Sequence, residues 1–414
     1  MRKIILDKAE RLYKTQGPLS FEQPRLPAGS KYRESGVIEL SSVRCELFSN
    51  PDFAGEAGGI IGNPGLRRGA TKAEIVDAYK YIAEFYVKQF GIKLNHRTSI
   101  AIITAGIPSE MLISLGLVNP GDKIAVCDPA SIVFRNAATM AGASVSSIPV
   151  NERTDYLASS SITDRRVERN LKIKFLNYPH IPSGAAADSS FFDAQVKAAA
   201  KGNYLLCHRW GSLAINRGRY SHPSIFHSSG AKKVGIEFTG FDIGYGFQKG
   251  LLEFAVGSPD AIAIIKEMNS AVCRDIPFFI LKLFYSAIDH YETIAKETSE
   301  RIKINADILS SGLKKLGWSV YNSKGTPFVW VKHPRRRSSV NLARSLWRRA
   351  GISVIPGVKF GDNGEGYIRI ALTGTEQELE EAINRIAKVL HPIKSGKNMI
   401  DKRLKGFKGE QDSD

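Results

Sequence analysis

Residues 236–257 read IEFTGFDIGYGFQKGLLEFAVG: an apolar run holding one carboxylate, a glycine-rich passage, then a second apolar run. Glycines at 240, 244, 246 and 250 let backbone approach a ligand or another segment closely. The passage offers one amine, Lys249. Upstream, short apolar runs such as TSIAIITAG, DKIAVCDP, ASVSSIPV, KIKFLNYP and NYLLCHRW recur. Between them lie segments with apolar residues at helical spacing, such as IPSEMLISLGLV and SIVFRNAATMAG. That alternation predicts an α/β fold with a mostly parallel sheet between helices. Gly106, Asp128-Pro129 and Pro179 follow strand ends, where open sheets of this kind bind ligands.

From about Asp289 the pattern changes. A long helical stretch, HYETIAKETSERIKINADILSSGLKKLG, leads into WSVYNSKGTPFVWVK, a basic helix, ISVIPG, GYIRIALT and a final amphipathic helix, TEQELEEAINRIAKVL. Thr373 or Thr375 ahead of the acids is placed to cap that last helix. The expected division is an N-terminal segment (1–48) partly joined to a small α+β domain (289–392), a large α/β domain (49–288), and a disordered basic tail (393–414).

Composition limits the function classes. Hydrophobic residues make up 43% and charged residues 24% of the 414, as in an ordinary soluble globular protein. No apolar run is long enough to span a bilayer, and MRKIILDKAERLYK reads as an amphipathic helix, not a signal peptide. The four cysteines are far apart, which argues against a metal or disulfide framework and for a reducing cytoplasm. The formal charge of +17 is concentrated partly in HPRRRSSVNLARSLWRR and in the tail. Nucleic acid is therefore a minor partner reading, resting on Arg344, Trp347, Arg348 and Arg349. His180, His208, His222 and His227 match no tight metal-ligand spacing.

These residues also carry a resemblance. NPGDKIAVCDPASIVFRNAATMAGA, LNYPHIPSGAAAD, LLCHRWGSL and VIPGVKFGDNGEGYIRIAL are similar to the scaffold motifs of the fold type I aminotransferases, in the aspartate and LL-diaminopimelate aminotransferase branch. The similarity runs from about Val37 to Leu390. It implies the PLP-transferase fold, a homodimer, and a site built around pyridoxal phosphate (PLP). Glu237-Phe238 and Phe254 to Gly257 fix an ungapped register on the family's lysine segment. In that register the Schiff-base lysine position is Ile243, the phosphate serines fall on Gly240 and Asp242, and the phosphate arginine on Leu251. The ring-hydroxyl asparagine becomes Ile181, preceded by His180. The pyridine aspartate becomes Arg209, its tyrosine companion Ser212, and the stacking tyrosine Ser131. The phosphate-binding pair becomes Ile107 and Pro108. Arg369 matches the arginine that binds the substrate α-carboxylate.

The expectation is thus a divergent aminotransferase-like protein with no lysine at the Schiff-base position. PLP is not expected as a cofactor, and not as a covalent one. An amino-acid-like carboxylate ligand is expected between Arg209 and Arg369, with Ser131 nearby and His180 and Asp242 as an acid–base pair. Two alternatives stand beside it: a non-catalytic partner of an active homologue in an aminotransferase-type dimer, and an enzyme that still holds PLP or pyridoxamine phosphate non-covalently. Lys249, downstream of the expected position, is a weak candidate for a displaced Schiff-base lysine.

Overall fold

The computed structural model describes residues 32, 36–103, 107–161, 170–215, 222–247, 252–272, 275–321, 323–335 and 338–390. Lys249, Leu251, the N-terminal amphipathic stretch and the basic tail lie outside the described residues.

A short strand β1 (Ile38–Glu39) precedes a seven-stranded sheet formed by β2 (Ile100–Ile103), β3 (Lys123–Asp128), β4 (Ser144–Pro149), β5 (Leu171–Asn177), β6 (Leu205–Arg209), β7 (Gly235–Phe241) and β8 (Leu252–Gly257). Their spatial order is β2-β8-β7-β6-β5-β3-β4. Strands β4, β3, β5, β6 and β7 run parallel, while β8 is antiparallel to both β7 and β2. The strand-like runs of the sequence all enter this one sheet. Their apolar side chains are largely buried, except on the edge strand β4, whose Val145 and Ile148 are only partly buried.

A second, antiparallel sheet has the order β12-β13-β10-β9, built from β9 (Ser319–Tyr321), β10 (Phe328–Lys332), β12 (Ile355–Pro356) and β13 (Tyr367–Ala371). The strand between β10 and β12 in sequence, β11 (Ile352–Ser353), pairs in parallel with β1. The helix Tyr291–Lys315 links the two cores. Its Ile294 packs into the large-sheet core, whereas Ile302, Ala306, Leu309 and Leu313, on one stripe at three-to-four spacing, pack into the second. The final helix, Glu376–Leu390, is capped by Thr375: its hydroxyl accepts from Glu378 N at 3.2 Å, and Glu378 Oε2 accepts from Thr375 N at 2.8 Å.

Each core also takes residues from the other side. Trp330 of β10 lies in the large-sheet core, and Ile243, just past β7, lies in the second with Leu40, Phe48 and Ile215.

Candidate functional site

The parallel strands bring Asp128, Asn177, Arg209 and Phe241 to one edge of the sheet, the edge at which ligands bind in open α/β folds. Arg209 dominates this edge. Its Nε donates to Glu110 Oε1 at 2.7 Å and its Nη2 to Glu110 Oε2 at 2.6 Å, a bidentate fork; Nη1 donates to Glu253 Oε1. All three side chains are buried. Burial alone would lower the guanidinium's pKa, but the two glutamates outweigh it and hold Arg209 firmly charged. Glu110 stands in the first turn of the helix Ser109–Leu117, where the helix N-terminus favours a carboxylate. Glu253 sits on β8 directly opposite Gly240. A Cβ at Gly240 would meet Leu252 O at 2.4 Å, so a glycine is needed for the strands to pair this closely.

After β7 the chain turns, with Tyr245 N donating to Asp242 O at 3.1 Å. Ser212 Oγ donates to Asp242 Oδ1 at 2.9 Å. Ile243 is buried, and Gly244 follows with φ 90°, a conformation that disfavours any side chain. A Cβ there would also meet Thr298 Oγ1 at 2.3 Å. The glycines of the opening passage thus serve close packing of backbone, as read from sequence. Beside the turn lies a cleft of about 220 Å³, open to solvent, whose lining includes Arg209, Gly240, Asp242 and Glu253. Its interior has room for about one water.

Arg369 has the opposite surroundings. It lies on β13 between Trp330 of β10 and Ile355 of β12. Its guanidinium stacks 3.8 Å from the centre of the Phe328 ring and 5.0 Å from that of Phe360. Nη2 donates to Ser41 O at 2.9 Å, and Nε has no hydrogen-bond partner among the described residues. Among the described residues no carboxylate forms an ion pair with it, and burial pushes its pKa down to about 9.

Several expectations need correction. Arg209 cannot take a ligand carboxylate, because Glu110 and Glu253 already engage all three of its nitrogens. His180 is buried with both ring nitrogens engaged: Nε2 lies 3.0 Å from the Pro129 carbonyl oxygen and Nδ1 2.8 Å from Ser183 Oγ. Burial pushes its pKa down to about 4, so it is held neutral and is not a proton shuttle near pH 7. Ser131 immediately precedes the helix Ile132–Ala141, and its side chain makes no capping bond. Ile107 and Ile181 pack on the large-sheet core, and Pro108 leads into the helix that carries Glu110. Ser212, read as a lost ring contact, orients Asp242.

Glu110 and Glu253 are the residues that sequence reasoning missed. Their signal was present: a lone carboxylate inside LLEFAVG and an arginine ending NYLLCHR are buried opposite charges that require partners. Glu237, the carboxylate of the first run, is likewise satisfied, by His208 Nδ1 at 3.0 Å and Ser224 Oγ at 3.0 Å. Among the described residues, no three metal-ligating side chains converge.

Comparison with known proteins bears on the cofactor. The family signature described as aminotransferase class I and II matches residues 240–386. An LL-diaminopimelate aminotransferase of Natranaerobius thermophilus is 30% identical over 347 residues, covering 79% of this chain and 89% of that protein. Its counterpart in Moorella thermoacetica is 29% identical over 331 residues, covering 80% of this chain and 85% of its own. Substrate-bound BacF from Bacillus subtilis superposes with a TM-score of 0.81 at 26% identity, covering 86% of this chain and 91% of that one. LL-diaminopimelate aminotransferases are PLP-dependent, which overturns the expectation that no cofactor is involved. At the positions the resemblance assigns to PLP, Ile243 is buried, Arg209 is held by Glu110 and Glu253, and Asp242 accepts from Ser212. The extent and identity of these matches place the chain in the class I and II aminotransferase family, on the PLP-transferase type I fold.

Proposed function

We propose that this protein is an aminotransferase-family member of amino-acid metabolism that binds an amino-acid-like ligand through its carboxylate at Arg369. One observation carries the reading: Arg369 is a largely desolvated guanidinium that, among the described residues, has no carboxylate partner and no hydrogen-bond partner on Nε. A buried charge of this kind is costly unless paired, and a planar carboxylate offers the fork geometry that completes it. The relatives support an active aminotransferase, and PLP is the cofactor they bring to the proposal. When bound in such enzymes it supplies the electron sink for chemistry at the amino-acid α-carbon.

This chain's own residues have separable tasks. Arg369 binds and orients the carboxylate, with Phe328 and Phe360 fixing the guanidinium plane and limiting water. The Glu110–Arg209–Glu253 clamp closes the floor of the cleft. The turn after β7 holds Asp242 at the opening. The cytoplasm is the proposed location and a homodimer the proposed assembly, the latter usual for this fold family. A second reading, a non-catalytic partner in such a dimer, is favoured by one observation: Ile243 is packed in an apolar core.

The test is an amino-transfer assay on the purified protein with amino-acid donors and a 2-oxo acid acceptor, with and without added PLP. Calorimetric titration of the donors into wild type and R369Q accompanies it. Turnover, with ligand binding lost in R369Q, is the expected result. Binding without turnover supports the partner reading. Unchanged binding in R369Q sinks the carboxylate assignment. Borohydride reduction followed by peptide mapping shows whether Lys249 attaches the cofactor.

A further inference from the structure

We propose that the outer face of the helix Ser339–Ala350 is a docking surface for a nucleic acid strand, held through its phosphates. The proposal is independent of the ligand reading at Arg369. The 54 residues from Ile308 to Gly361 hold eleven lysines and arginines and no aspartate or glutamate. Against a net charge of +17 for the whole chain, this one stretch contributes +11. The helix buries Leu342, Ala343, Leu346 and Ala350 in the second core and leaves Arg344, Arg348 and Arg349 exposed. Arg344 and Arg348 are one turn apart, where like charges repel and weaken a helix. Among the described residues no carboxylate forms an ion pair with any of the three. Glu365, a carboxylate that does reach this helix, is taken up at its N-terminus by Ser339 N and Oγ, both at 2.8 Å. Arg348 and Arg349 lie in the last turn, where a cation suits the helix dipole, but Arg344 lies mid-helix and has no such reason.

The positive charge continues beyond the helix. Exposed Arg335 precedes the helix cap Ser338 by a stretch of chain that spans at most about 11 Å. Lys332, at the end of β10, pairs with Ser319 of β9, and its ammonium lies 5.1 Å from the centre of the Tyr367 ring. Trp318 and His333 meet with ring centres 4.8 Å apart, so exposed Lys314 and Lys315, ending the helix before β9, reach the same end of the second sheet. Among the described residues, no large apolar side chain between 308 and 361 is exposed. Protein partners are held by apolar and aromatic anchors at the centre of an interface, and this surface offers none. A nucleic acid needs none, because its phosphates are bound by charge and by counterion release. Arginine forks also match the geometry of phosphate oxygens. The surface therefore favours a nucleic acid over an acidic protein.

The experiment is fluorescence anisotropy of a labelled oligothymidylate titrated with the full-length protein across a range of salt concentrations. Wild type is compared with R344Q/R348Q/R349Q and with K197Q/K201Q/K233Q, which removes the same charge from exposed lysines of helices beside the large sheet. Circular dichroism checks that both variants fold, and R344Q alone leaves the last turn of the helix intact. Each phosphate contact on a single strand contributes about 0.7 to the slope of log K against log salt. The helix variant should therefore lose about 2 from that slope and bind about tenfold or more weakly at about 100 mM salt. R344Q should lose about 0.7, and the lysine variant should stay within about twofold of wild type. Equal weakening in the two triple variants would mean that net charge alone attracts the strand, which overturns the site. Displacement of the strand by poly-L-glutamate at an equal concentration of charges overturns the assignment in favour of an acidic protein. Absence of binding to wild type at about 50 mM salt, where such contacts are strong, overturns it as well.

Discussion

Arg209 and Arg369 both sit on buried strands, and the fold provides for them in opposite ways. Arg209 at the end of β6 has a carboxylate for each side of its fork. Arg369 on β13 has aromatic rings, one backbone carbonyl and an orphaned Nε. A guanidinium whose donors are all engaged belongs to the frame, because opening it for a ligand would strand two buried carboxylates. A guanidinium left partly unsatisfied among the described residues is the one that the proposed function assigns to a partner arriving from solution. Sequence similarity alone points the same way for Arg369 only, since Arg209 stands where the family has an acid.

The strongest way to break this comparison is R209M. It leaves Glu110 and Glu253 buried side by side without a cation, and the expected cost is about 3–5 kcal/mol in urea unfolding. The triple variant E110Q/R209M/E253Q should recover most of that loss, because the charges leave together. If R209M unfolds like wild type, the clamp is not structural, and Arg209 returns to the set of ligand contacts.

The buried histidines extend the comparison to neutral groups. His180 has a partner on each ring nitrogen, whereas Nε2 of His222 has none among the described residues. Burial pushes both pKa values down to about 4, with His208 contributing further at His222. Unfolded, each titrates near 6.5, so between about pH 6.5 and pH 4 the unfolded chain binds more protons. Stability contributed by the neutral rings is therefore complete above 6.5 and falls as the pH drops towards 4. The two together should cost about 3 kcal/mol at pH 5.5 relative to pH 8, read from urea midpoints. Replacing both with glutamine should flatten that slope. A slope unchanged in the double variant would mean that other groups carry it.

The turn that connects the two cores gives a smaller effect. G244A adds a Cβ within 2.3 Å of Thr298 Oγ1 at a backbone φ of 90°. The expected destabilisation is about 2 kcal/mol, and Thr298→Gly in the same background should relieve the contact but not the φ strain. Full relief would show that crowding alone makes the glycine necessary.

How much of this was legible in the sequence depends on the range of the interaction. The strands of the large sheet were legible because each is a short apolar run, and the Thr375 cap because its signal lies within one turn. Thr373, the other cap candidate, instead accepts from Arg44 N at 3.0 Å, a contact 329 positions away that local pattern could not reveal. The register that placed Ile243, Asp242 and Arg209 identified which residues to examine, but not how their charges pair. Glu110, Arg209 and Glu253 come from a helix and two strands far apart in the chain, so the clamp is visible only in the folded structure. For the same reason His180 read as an acid–base partner of Asp242: an imidazole beside a cofactor position looks available until Pro129 and Ser183 are seen around it. The expectation of no cofactor went too far in the other direction, inferring the protein's chemistry from single positions against the weight of its relatives.

The smallest expected effect bears most directly on Arg369. R369M keeps the aliphatic stem against Phe328 and Phe360 and removes the desolvated charge, at the expense of the bond to Ser41. Replacing an inadequately paired buried ion by an apolar side chain of similar length is often stabilising. The ligand-free variant should therefore gain about 1 kcal/mol over wild type while losing carboxylate binding, the trade expected of a residue kept for function. The same substitution at Arg209 costs stability, so the sign of the change distinguishes the two arginines. If R369M is destabilised as R209M is, Arg369 has a partner in the folded chain that already neutralises it. Its proposed role as ligand anchor then fails.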